Sequence, residues 1–245
     1  LKARKTGVGG SEVAAILGLS NYATPYTVWL DKTNRSEPEE MSEAAYWGIE
    51  LEDIIAREFS KRSGLKIQKV NLMMRHETYT YAIANIDRAI VNPAISGTVR
   101  FKDGALTTDQ IYEGKTSSAY FDKMWGDELS DAIPEYYLCQ VMWYLGITGT
   151  QKCHLAVLIG GQKYKQFVIE RDEELIAMLF AEAGIFWRDF VLADIPPDPI
   201  NLGDCALRWS KSMGGVIEAD EAMAEKLAEY RSEERRVGKE CLRLC

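Results

Sequence analysis

The chain has 245 residues, 47% hydrophobic and 27% charged, with a net charge of −8. That is enough to bury a sizeable core, and it is not the composition of a disordered chain. No apolar run reaches the 18 residues a membrane helix needs, and the five cysteines form no CxxC pair, which argues against zinc ribbons and iron–sulfur clusters.

Scattered single cysteines suit a reducing cytosol, so a cytoplasmic location is expected. The acidic balance argues mildly against a nucleic-acid partner without deciding the matter, because binding depends on where the positive groups sit. No secretory signal is visible, and Leu1 is not a natural start, which points to a trimmed N-terminus.

In chain order, "GGSEVAAILGLS" predicts a short helix with Ser11 as N-cap and Gly18 as its stop. "TPYTVWLDKT" predicts a second, with Pro25 in its first turn. The clearest helix runs from Ser42 to Gly64, with Ala45, Ile49, Ile54, Ile55 and Phe59 at roughly helical spacing. The period then changes. "LKIQKV", "YTYAIANID", "SGTVRFKDG" and "DQIYEGKTS" read as strands separated by turn signals. "PEYYLCQVMWYLGI" returns to helix behind Pro134. "KCHLAVLIGG" and "KYKQFVIERD" predict a hairpin across Gly160-Gly161, and residues 172–194 a long amphipathic helix closed by "IPPDP".

This order predicts an α/β or α+β fold, a central mixed β-sheet flanked by helices. Residues 1–199 form the expected main domain, and 200–230 a helical extension with a polar helix over 218–235. Residues 231–245 read as a non-native or disordered tail. They carry five basic and three acidic residues, leaving −10 on the rest.

Three acids stand out: Glu52 on the long helix, Asp87 closing "YAIANID", and Glu113 in "IYEGKTS", where Lys115 follows two residues later. Alternate residues of a strand share a face, so Glu113 and Lys115 point the same way. If the strand ending at Asp87 lies in the same sheet, its carboxylate can meet Glu113. Converging carboxylates repel unless a cation neutralises them, and an oxygen-rich site suits Mg²⁺ or Mn²⁺. A lysine beside such an ion can orient or deprotonate a water, and phosphodiester hydrolysis is the chemistry implied. Taken alone, acid-x-Lys in a strand is common by chance and usually a solvated face.

The segments "GVGGSEVAAILGLSNYATPYTVWLDKT", "WGIELEDIIAREF", "ANID", "YEGKTS" and "YYLCQVMWYLGI" tighten the reading. From about Arg4 to Asp194 the chain resembles the YqaJ-type viral recombinases, relatives of the lambda-type phage alkaline exonucleases in the PD-(D/E)xK nuclease superfamily. The resemblance implies a restriction-endonuclease-like core and a Mg²⁺- or Mn²⁺-dependent exonuclease. Such an enzyme degrades linear double-stranded DNA from its ends, 5′ to 3′, for phage-type recombination with a single-strand annealing protein. It also implies a homo-oligomer, a ring trimer in the lambda type.

Carried over position by position, Glu52, Asp87, Glu113 and the Gly114 carbonyl would hold the metal, Lys115 would aim the water, and Gln140 would support the lysine and the phosphate. Ser11 and Arg4 match a pair that binds a terminal 5′-phosphate. Phe121 stands where that pattern has a basic residue, with Lys123 as the nearby substitute; Ile86 replaces the superfamily's proline, and Asn85 a serine. Arg88, Arg100, Lys102, Lys115 and Lys123 are candidates for a basic channel lining that would reconcile DNA with −8. Tyr136, Tyr137, Trp143 and Tyr144 read as packing. Two alternatives stay open: an endonuclease on the same core, and a non-catalytic DNA-binding module.

Overall fold

The computed structural model describes residues 2–36, 40–210, 220–226, 228 and 229. Two compact units divide the chain, Leu1–Cys205 and Ala206–Cys245. Residues 200–205 belong to the first: Asp204, 1% exposed, accepts hydrogen bonds from Thr24 Oγ1 (2.7 Å) and the Ile200 N–H (3.0 Å). In the second, 221–226 are helical, as expected, while the rest of the polar segment lies largely, and the 231–245 tail wholly, outside the described residues.

The first unit opens with a 3-10 turn, Lys2–Thr6, followed by α1 (Gly10–Ile16), α2 (Pro25–Lys32) and α3 (Glu43–Ser63). Thr24 caps α2 by accepting the Thr27 N–H (3.1 Å), and Ser42 caps α3 by accepting the Ala45 N–H (3.2 Å). The expected cap of α1 is corrected. Gly9 is the N-cap, because the Glu12 carboxylate reaches back to the Gly9 N–H (2.7 Å); Ser11 sits inside the helix with its hydroxyl free for another partner. The apolar stripe of α3 is corrected too. Ile55, Ala56 and Phe59 are buried, but Ile49 and Ile54 are 59% and 48% exposed, because the face of the helix that meets the sheet runs through Ile55, Ala56 and Phe59 instead.

Residues 65–109 hold short strands: β1 (Ile67–Lys69), β2 (Met74–Arg75), β3 (Ile83–Ala84), β4 (Arg88–Ile90), β5 (Phe101–Lys102) and β6 (Ala105–Leu106). The single strand expected from "YTYAIANID" is broken. Ile83–Ala84 pair with β2 and Ala82 bridges Val8, while Asp87 precedes a separate strand. The strand expected from "SGTVRFKDG" is a small hairpin, β5–β6, outside the main sheet.

Then come β7 (Gln110–Ser117), a 3-10 turn at Ala119–Met124, α4 (Glu135–Thr148), β8 (Lys152–Ile159), β9 (Lys163–Glu170), α5 (Glu173–Phe186) and α6 (Leu202–Arg208). The β8–β9 hairpin turns at Gly160 and Gly161, whose φ of +59° and +73° suit a side-chain-free residue. The long helix expected over 172–194 changes to π geometry at Trp187–Leu192, where the Phe190 carbonyl accepts the Trp29 indole N–H (3.0 Å).

The central sheet has the order β1-β4-β7-β8-β9. Only β7 and β8 are parallel, and α4 is the crossover between them. Alternation sorts the faces. Ile111, Cys153, Leu155 and Val157 join the core shared with α1, α4 and α5, whereas Tyr112, Ala156 and Ile90 join the smaller core beneath α3. The α+β class with a central mixed sheet between helices is therefore the observed one. Among the described residues, no helix is long and apolar enough to cross a membrane.

Candidate active site

β4 runs antiparallel to β7 with Arg88 opposite Tyr112. One step further along that register puts Asp87 beside Glu113, on the α4 face of the sheet. Glu113 is 3% exposed. Its Oε1 accepts from Lys115 Nζ (2.7 Å) and from Gln140 Nε2 (3.2 Å), and the Gln140 amide also donates to the Tyr144 hydroxyl (2.9 Å). The i, i+4 spacing on α4 is what lets Tyr144 hold the Gln140 amide. The Lys115 ammonium also lies 5.0 Å over the Tyr137 ring.

The other oxygen of Glu113, Oε2, is buried and has no hydrogen-bond partner. Asp87 is pushed up to about 8, first by burial and then by the charges of Glu113 and Glu52. Burial works to lower Lys115, but Glu113 outweighs it, and the net direction is up, so the amine stays charged. Glu113 is buried and Asp87 half-buried; such a pair with an unpartnered oxygen is short of positive charge, and Mg²⁺ is commonly held by one or two carboxylates with the rest of its shell water and substrate. The donor set fits such an ion.

The expected three-acid convergence is a two-acid one. Glu52 comes from α3, on the opposite face, and accepts from Arg88 Nη1 (2.6 Å); Asp53 takes the other arm of the same guanidinium. Among the described residues, no three of His, Cys, Asp and Glu come together as a metal-binding group. Gly114 has a steric reason. A Cβ there would meet the Tyr112 hydroxyl at 3.1 Å, on the α3 face, so the glycine accommodates Tyr112.

Asp87, Glu113, Lys115, Gln140 and Tyr144 line a cavity of about 260 Å³, and Arg4, Ser11 and Asn85 line it with them. Arg4 Nη2 donates to Ser11 Oγ (3.3 Å), so the two residues expected to meet do meet. Lys32, 5% exposed, holds the Arg4 carbonyl (2.8 Å) and Glu12 (2.7 Å), which fixes this edge of the site. Lys123 is exposed and is not among the lining residues. Of the candidates for a basic channel, Arg100, Lys102 and Lys123 are exposed, but Arg88 is only 3% exposed and committed to two acids.

Two residues hold roles other than those expected: Arg88, read as a channel lining, pairs with two acids, and Tyr144, read as packing, accepts from Gln140 in the cavity wall. For Tyr144 the signal was its position four residues after Gln140.

The cavity wall depends on a close helix contact. A Cβ at Gly10 would lie 2.5 Å from Tyr144 Cε1. Gly10→Ala is expected to destabilise the protein by about 1–3 kcal/mol despite alanine's better helix propensity, since overpacking outweighs it. Thermal unfolding checks this; an unchanged or raised midpoint would remove the contact from the account.

The YqaJ-like viral recombinase domain profile matches residues 1–151. The uncharacterized protein YqaJ of Bacillus subtilis (strain 168) is 44% identical over 197 residues, which is 79% of this chain and 56% of that protein; the chain thus spans about half the length of that relative. Among solved structures, the alkaline exonuclease LHK-Exo of Laribacter hongkongensis superposes with a TM-score of 0.60 at 20% identity, covering 79% of this chain and 92% of that one. Its complex with dAMP gives the same TM-score and identity, with 79% and 91% covered. At that identity the likeness establishes a shared fold.

Proposed function

Because the chain belongs to the YqaJ-like viral recombinase domain family, we propose that it is a metal-dependent deoxyribonuclease. It hydrolyses linear double-stranded DNA from its ends, 5′ to 3′, in recombination by single-strand annealing. The observation that carries the reading is the buried, unpartnered Glu113 Oε2 beside a half-buried Asp87, with Lys115 and Gln140 holding the other oxygen. A structural ion pair would have no use for a second, uncompensated acid.

Asp87, Glu113 and the Gly114 carbonyl, with Glu52 as a further ligand, would hold Mg²⁺ or Mn²⁺. When bound, the ion lowers the pKa of a water and stabilises charge on the phosphate. Lys115, charged and anchored on Glu113 at 2.7 Å, orients the attacking water with its remaining protons. Gln140 keeps Glu113 in place, and Tyr144 keeps Gln140 in place. Arg4 and Ser11 present a guanidinium and a hydroxyl at the cavity edge, suited to a terminal 5′-phosphate.

The resemblance to lambda-type enzymes supports a homo-oligomer, an annealing-protein partner and a basic contribution from Lys123. The free buried thiols of Cys139 and Cys153 suit action in a reducing cytoplasm. Digestion of linear and covalently closed circular duplex, with Mg²⁺ and with EDTA, tests the proposal. Linear DNA is expected to be degraded only with metal, faster with a 5′-phosphate, while the circle survives. Cutting of the circle would favour an endonuclease, and no cutting of either a binding module.

A further inference from the structure

The two faces of the sheet separate Glu52 from the acid pair it is proposed to join. Arg88 directly follows Asp87, so the pleat turns its side chain to the α3 face while Asp87 faces α4. There the guanidinium, 4% exposed, bridges two successive carboxylates of α3, Glu52 and Asp53. The two partners are unequal in freedom. Arg88 is enclosed, while Glu52 is 32% exposed and has room to change rotamer. Glu52 is also near enough for its charge to act on Asp87.

Resting on the nuclease reading, we propose that Arg88 is a positioning residue: it holds Glu52 as its counter-ion in the metal-free protein, and a divalent cation must win Glu52 from it. The metal-free protein thereby keeps four acids, Glu52, Asp53, Asp87 and Glu113, from facing one another without a cation. Asp53 stays with the guanidinium after Glu52 leaves, so Arg88 is not left unpaired when the exchange occurs. The cost of separating Glu52 from Arg88 is subtracted from metal binding, which makes Arg88 a setting for metal affinity.

Mn²⁺ binding by calorimetry tests this without measuring cleavage. Arg88→Met is expected to bind Mn²⁺ about 3- to 30-fold more tightly than wild type, the range of coupling between neighbouring charges. Arg88→Lys, which keeps the charge but cannot bridge both carboxylates, should shift affinity the same way by less. It serves if Arg88→Met fails to fold. In a Glu52→Gln background the Arg88 substitutions should have no effect on affinity. Weaker or unchanged binding in the Arg88 variants, or tightening that persists with Glu52→Gln, overturns the proposal. Wild type that binds no Mn²⁺ overturns instead the nuclease reading on which it rests.

Discussion

Lys115→Ala is expected to lower cleavage of linear duplex by at least about 10²–10³-fold, the usual cost of removing one preorganised polar group from a reacting centre. The reason is positional. Lys115 shares a strand face with Glu113, and its ammonium is already anchored there, so the water-directing protons have one place to point. Metal binding should survive this change, because the carboxylates remain, whereas Asp87→Asn should lose both metal binding and cleavage. Measuring Mn²⁺ affinity and rate on the same preparations, with circular dichroism to certify the fold, separates the two roles. Near-wild-type cleavage by a folded Lys115→Ala protein would end the mechanism.

A second large effect is expected with pH. Asp87 in the metal-free protein titrates at about 8 against an ordinary value of 3.8, raised chiefly by burial and then by Glu113 and Glu52, with Lys115 and Arg88 opposing. Between those values the folded protein holds a proton that the unfolded chain has lost. By linkage, this group makes the metal-free protein less stable as pH rises from about 4 to about 8, and flat above. A cation must expel the same proton, so apparent metal affinity should climb about tenfold per pH unit below 8 and level off beyond it. Calorimetric titrations at pH 6, 7, 8 and 9, in two buffers of different ionisation heat, would show about one proton released per ion at neutral pH. An affinity independent of pH from 6 to 8 would contradict a raised Asp87 beside Glu113 and Glu52. Cleavage should be favoured on the alkaline side for the same reason.

Periodicity made much of this legible in advance. The hairpin at Gly160-Gly161, the helix carrying Gln140, and the strand presenting Glu113 and Lys115 each declare themselves through spacing and turn chemistry. Residues 65–109 do not, because two- and three-residue strands are too short to show a period, and their pairing with β2, β4 or Val8 is decided by distant partners. Arg88 was illegible for a related reason. Its burial depends on two acids some 35 residues earlier, and nothing local distinguishes it from a solvated arginine. Likewise Ile49 and Ile54 lie in a helix as expected, but which of its faces the sheet covers is decided by distant partners, Tyr112, Ala156 and Ile90.

The parallel pairing of β7 with β8 carries a last consequence, for the order of events during synthesis. A parallel pair cannot close through a tight turn, so the chain must travel out through α4 and back before β8 can dock. Gln140 rides on that excursion, and it is what steadies Glu113. A ribosome that has released Glu113 has therefore not yet released the helix that steadies it. Glu113 and the Gln140 that steadies it are thus joined by the same crossover that brings β8 into the sheet.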